Sequence, residues 1–75
     1  MNPIEQLRQL NPDHHWFLSH RLEAYRTGTL KDYWELTEMT QFGSRIRHIE
    51  RPTLEECLNA AFIAYGQPFE ATILL

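Results

Sequence analysis

The stretch "TLKDYWELTEMTQFGSRIRHIER", residues 29–51, admits two incompatible folds. Read as strands, Tyr33 to Thr40 and Arg45 to Arg51 are rich in aromatic and β-branched residues and flank "QFGS", a turn that contains a glycine. Read as helices, Thr29 and Asp32 make a capping box and the segment becomes a helix-turn-helix, which would make the chain a DNA-binding regulator. Three threonines and the Tyr33-Trp34 pair lower helix propensity, so the hairpin is the preferred reading and the DNA-binding one its alternative.

On the C-terminal side the pattern changes period. Thr53 and Glu56 form a capping box, and Leu54, Cys57, Leu58, Ala61, Phe62 and Tyr65 recur at helical spacing over residues 53–65. Gly66 stops that helix. "FEATILL", residues 69–75, then alternates Phe69, Ala71, Ile73 and Leu75 with Glu70, Thr72 and Leu74, the pattern of a strand with one buried face. Ile63 falls opposite Leu54, an apolar back face that the N-terminal elements are expected to cover or a partner to use.

On the N-terminal side, Asn2, Pro3 and Glu5 signal a helix start, and Asn11-Pro12-Asp13 repeats the signal for a second helix running to about Arg26, with Gly28 as its stop. The fold class expected is α+β: two N-terminal helices followed by ββαβ in a single domain, residues 1–75. The small antiparallel sheet has the order 2-1-3 and is covered by one helix.

"NPDHHWFLSH", residues 11–20, raises the question of a metal site. A helix brings two imidazoles onto one ion at i and i+3 or i+4, and the separations of His14, His15 and His20 are one, five and six. No metal, cofactor or catalytic residue is therefore expected. Lone Cys57 lies in its helix's apolar stripe, where a thiol is inert. On the helical reading Trp16, His20 and Glu23 share an outer face and form a contact patch, or else Trp16 packs in the core.

Seventy-five residues with net charge −3 make a marginal core, since a chain of this size buries only about 60% of its unfolded surface. A single cysteine, no secretory leader and no long apolar run point to a cytoplasmic, non-membrane protein. The acidic balance argues against nucleic acid as a partner. Charge is uneven, however: residues 45–51 carry +2 through Arg45, Arg47 and Arg51, leaving −5 elsewhere. A basic segment on an acidic body orients a protein partner, so Arg45, Arg47, Arg51, Trp16 and His20 are the expected contact residues.

"YW" at 33–34, "TLEE" at 53–56 and "FEAT" at 69–72 together resemble the small early protein of podophages that inhibits bacterial RNA polymerase. The likeness covers residues 33–73. It implies a non-enzymatic phage or mobile-element product that docks on a larger bacterial protein, such as RNA polymerase or a defence nuclease. That family's polymerase contacts lean on arginines in the last strand, whereas "EATILL" has none and the basic charge here sits on the second strand of the hairpin. A homodimer using the same apolar faces is the remaining class.

Overall fold

The computed structural model describes residues 2–67 as helix α1 (Pro3–Leu10), strands β1 (His15–Ala24), β2 (Leu30–Met39) and β3 (Arg45–Arg51), and helix α2 (Leu54–Ala64). The strands form one antiparallel meander in the order β1-β2-β3. The chain is thus α+β, with a three-stranded sheet and one helix at each end. No helix among the described residues is long and apolar enough to cross a membrane.

Local signals start both helices as expected. Asn2 Oδ1 accepts from the Glu5 amide at 2.9 Å, and Thr53 Oγ1 accepts from the Glu56 amide at 3.2 Å. Each satisfies a donor that the helix itself cannot pair. The two sheet turns are built alike. Gly28 donates to Tyr25 O and Tyr25 to Thr29 O, both at 2.9 Å; Gly43 donates to Thr40 O at 3.0 Å and Thr40 to Ser44 O at 2.8 Å. Both are three-residue loops that end on a glycine in the left-handed region, φ 85° at Gly28 and 88° at Gly43, where a side chain is disfavoured.

Residues 29–51 are therefore the expected hairpin, and the helix-turn-helix alternative is overturned, because no helix occurs anywhere in that segment. Two other expectations are corrected. The second N-terminal helix does not form: residues 15–24 are β1, paired continuously with β2 from His15↔Met39 to Ala24↔Leu30. The segment "HWFLSHRLEA" has no β-branched residue and its local preference is helical. As a strand the segment turns Trp16 and Leu18 together to the core and leaves Phe17 between them on the other face, and that burial wins. The 2-1-3 order fails for the same reason, since β1 occupies the edge of β2 that the last strand was expected to take. The strand expected at 69–75 lies outside the described residues.

Register decides which side of the sheet is buried. Trp16, Leu18, Leu36, Trp34 and Ile49 lie on one face, where Leu7, Cys57, Leu58 and Ala61 of the helices meet them. Both helices thus cover one face, and among the described residues the other is open. Cys57 is fully buried, as expected, and its thiol donates to Trp34 O at 3.2 Å. Ile63, expected to be covered, is 63% exposed, because α2 turns Cys57, Leu58 and Ala61 into the core and Ile63 falls on the side away from them. Trp16 is only 8% exposed, sits 6.2 Å from the Tyr65 ring and donates through Nε1 to Asn11 O at 3.2 Å. It is a core residue. Trp16→Ala should cost about 3–5 kcal/mol, a large share of what so small a domain has, and a urea melt should show its midpoint lowered or the folded baseline lost.

Candidate functional site

A bulge in the β2–β3 ladder builds the most unusual part of the molecule. The register runs Met39↔Arg45 and then Glu38↔Arg47, which leaves Ile46 as the extra residue. Because side chains alternate, this single insertion turns Arg47, Ile49 and Arg51 to the helix-covered face and His48 and Glu50 to the open one. Ile49 reaches the core only through it.

Beside the bulge lies Glu38, a carboxylate with no solvent exposure. Arg47 Nη1 donates to its Oε1 at 2.9 Å, while His14 Nδ1, at 2.5 Å, and the Tyr65 hydroxyl donate to its Oε2. The guanidinium also lies 4.9 Å from the Tyr65 ring centre. Asn11 Nδ2 approaches His14 Nε2 at 3.4 Å, which sets the tautomer with the proton on Nδ1. Asn11 also organises its own loop, accepting from the Asp13 amide at 3.2 Å through its side chain and from the His14 amide at 3.3 Å through its carbonyl. A buried carboxylate is costly unless paired and hydrogen-bonded; here a cation, an imidazole and a phenol converge on it from β3, the α1–β1 connection and the end of α2. Burial, followed by the bond to Glu38, pushes the Tyr65 hydroxyl above its ordinary pKa. With both carboxylate oxygens engaged, the arrangement suits a clamp joining three elements rather than a proton shuttle.

Next to this clamp a depression of about 280 Å³ is lined by Asn11, Asp13, His14, Thr40, Gln41 and Phe42. Its rim is the β2–β3 turn, stiffened by Thr40 Oγ1, which accepts from the Phe42 amide at 3.3 Å and the Ser44 amide at 3.1 Å. Phe42 stands at the tip, 87% exposed, with exposed Arg45 and Ile46 following.

The expected contact residues do not gather. Arg45 and Arg51 lie exposed at opposite ends of β3, Arg51 donating to Glu50 O at 2.7 Å, and Arg47 is held by Glu38. His20 is half-exposed, stacks on Trp34 with ring centres 4.7 Å apart and bonds Asp32, far along the sheet from Arg45. Glu23 lies on the face opposite to Trp16 and His20, so the patch expected from helical spacing does not exist. His14, His15 and His20 likewise go to different surroundings. What the sequence reading missed is Glu38 and Phe42: an acid beside a methionine in a strand looks solvent-facing until a bulge places an arginine across from it.

The open face carries a polar network. The Glu23 carboxylate accepts from the hydroxyls of Tyr25 and Tyr33, both at 2.7 Å, and Lys31 Nζ sits 4.4 Å from the Tyr33 ring centre. Farther along, Glu35, His48 and Glu50 bring ligand-type atoms within 4.8 Å of one another. Each has a protein partner: Arg21 lies 3.6 Å from Glu35, Lys31 lies 4.0 Å from Glu50, and Thr37 Oγ1 is 2.9 Å from His48 Nδ1.

Two measurements test these networks. Glu38→Ala strands three buried or half-buried donors and should cost about 3–5 kcal/mol in a urea melt, with Glu38→Ala plus Arg47→Ala costing clearly less than the sum of the two single changes. The bond to Glu23, followed by burial, pushes the Tyr33 hydroxyl up from 10.0 to about 12, and the same bonds hold the Glu23 carboxyl below its ordinary value. An acid kept protonated by the fold stabilises it fully below the pH at which the free phenol ionises, and the contribution is lost as pH rises through the folded value. Stability should therefore fall between pH 10.0 and about 12, and Tyr33→Phe should flatten that decline. The chain matches no protein family, no curated protein and no solved structure.

Proposed function

We propose that this chain is a small non-enzymatic protein-binding module, whose contact surface is the corner formed by the β2–β3 turn, the depression beside it and Arg45. The observation that carries the reading is Phe42, the most exposed large apolar side chain described, standing on a turn closed by four hydrogen bonds through Thr40. An aromatic anchor on a rigid turn contributes contact area with little ordering cost, and interface energies concentrate in such residues. The adjacent depression offers Asn11, Asp13 and His14 as polar partners for a side chain of the target, and Arg45 supplies a single steering charge.

The clamp at Glu38 supports the binding reading by fixing the corner from behind, because it ties the α1–β1 connection to β3 and to the end of α2. Chemistry finds less support. Both Glu38 oxygens are engaged, and the Cys57 thiol is buried and pushed above its ordinary pKa by desolvation. A larger bacterial protein, such as RNA polymerase or a defence nuclease, is the target class that the resemblance of residues 33–73 implies. The net charge of −3 suits competition for a basic, nucleic-acid-binding surface.

Affinity capture from a bacterial lysate with mass spectrometry, run in parallel on native protein, Phe42→Ala and Arg45→Glu, tests the reading. Phe42→Ala should lose the captured protein, by up to a few kcal/mol of binding, with an unchanged melting temperature. Arg45→Glu should slow association and leave dissociation nearly unaltered. Equal capture by all three proteins would reject this corner as the contact surface.

A further inference from the structure

The sheet has two free edges among the described residues, and they are not alike. β3 is short, bulged at Ile46 and carries Arg45, Arg47 and Arg51, the usual means by which an edge is kept from pairing. β1 is less protected: ten residues long, it pairs with β2 without a bulge, contains no proline and no lysine, and carries its two charges, Arg21 and Glu23, on the open face. The Tyr25-to-Thr29 bond that closes its turn fixes the phase of the ladder, so that the N–H and C=O groups of Trp16, Leu18, His20 and Leu22 point away from β2. Those groups form an open row of donors and acceptors.

The same strand carries an apolar side chain without cover. Leu22 lies on the helix-covered face but is 66% exposed, because the helices reach only the half of β1 that holds Trp16 and Leu18. An antiparallel neighbour with the same sequence would bring its covered half against this uncovered one.

We propose that β1 is a self-association surface, and that a second copy of this chain pairs its own β1 antiparallel to it about a dyad at Ser19, joining the two sheets into one. A dyad perpendicular to the sheet keeps both sets of helices on one side and pairs residues of like face. With Ser19 on the axis, Leu22 lies beside Trp16 of the second copy, at the edge of that copy's helical cover. On the open face Arg21 lies over Phe17 of the second copy, which is exposed in a single copy, and Glu23 faces His15 of the second copy. Each pair is a favourable cross-strand neighbour. Other registers are worse: an axis at Leu18 sets His15 against Arg21, one at His20 sets Glu23 against Phe17, and one at Arg21 opposes two guanidiniums. In this pair the two Phe42 corners remain free at opposite ends of the joined sheet.

Cross-linking with the whole chain reads the register directly. Two residues facing each other in a non-hydrogen-bonded pair have Cα atoms about 4.5 Å apart, within disulfide range, and Ser19 is such a position on this dyad. Ser19→Cys should oxidise to a covalent dimer at least about tenfold faster than Arg21→Cys, whose cysteines would face Phe17 instead. Light scattering on native protein should give twice the monomer mass, and Leu22→Glu, placed where a single copy is exposed, should fold normally yet weaken the pair about tenfold or more by setting a carboxylate beside Trp16 of the second copy. A native mass that stays monomeric up to about millimolar concentration, or Arg21→Cys cross-linking as fast as Ser19→Cys, would overturn the proposal. Both readouts are independent of Phe42, so either outcome leaves the corner's binding role to its own experiment.

Discussion

The ion pair between Glu38 and Arg47 decides more of this molecule than any other contact. It spans the bulge that shifts β3 by one residue, and that shift is what brings Ile49 to the helices. In an unbulged ladder Arg47 would face the open side and Ile49 would go with it, leaving the core without its contribution from β3. The pair is not free-standing. Burying a carboxylate is tolerable only when its lone pairs are taken up, and the donors from His14 and Tyr65 complete the set. The register of one strand, the docking of α2's end and the path of the α1–β1 connection are thereby coupled at a single side chain.

That coupling compensates for a small core. The buried apolar set is Leu7, Trp16, Tyr33, Leu36, Ile49, Cys57, Leu58 and Ala61, of which Tyr33 lies on the open face under Lys31 and Glu23. Two layers of helix and sheet bury only one face of each element. On the other face, cross-strand pairs such as Tyr33 with Glu23 and Arg21 with Glu35 take over the work of holding the strands. A polar network of this kind stabilises the open side without an apolar patch that would drive indiscriminate association.

The two surfaces assigned to binding follow from where that scaffold is rigid and where it is incomplete. At the Phe42 corner Thr40 closes the turn through its backbone and its hydroxyl, and the clamp lies behind, so the backbone that carries the exposed aromatic is braced. At the far half of β1 the strand outruns its helices, and both the edge and Leu22 are left over. The first feature suits a foreign partner with a pocket for an aromatic ring. The second suits a partner with the same strand.

What the amino-acid order determined alone were features that depend on neighbours within a few residues. The caps at Asn2 and Thr53, the stripe of α2 with Cys57 inside it, and the β2–β3 hairpin with its glycine turn are local patterns, readable because side-chain spacing and turn chemistry act over short range. β1 was not readable, since "HWFLSHRLEA" favours helix locally and becomes a strand only when β2 and the helices offer it a pairing edge and a core. Nor was the Glu38 clamp: His14, Glu38, Arg47 and Tyr65 come from four separate stretches, and nothing in their spacing foretells that one extra residue at Ile46 will turn an arginine onto a buried carboxylate. Tertiary structure alone decided that, because register is chosen by the burial of whole faces and not by the preferences of single residues.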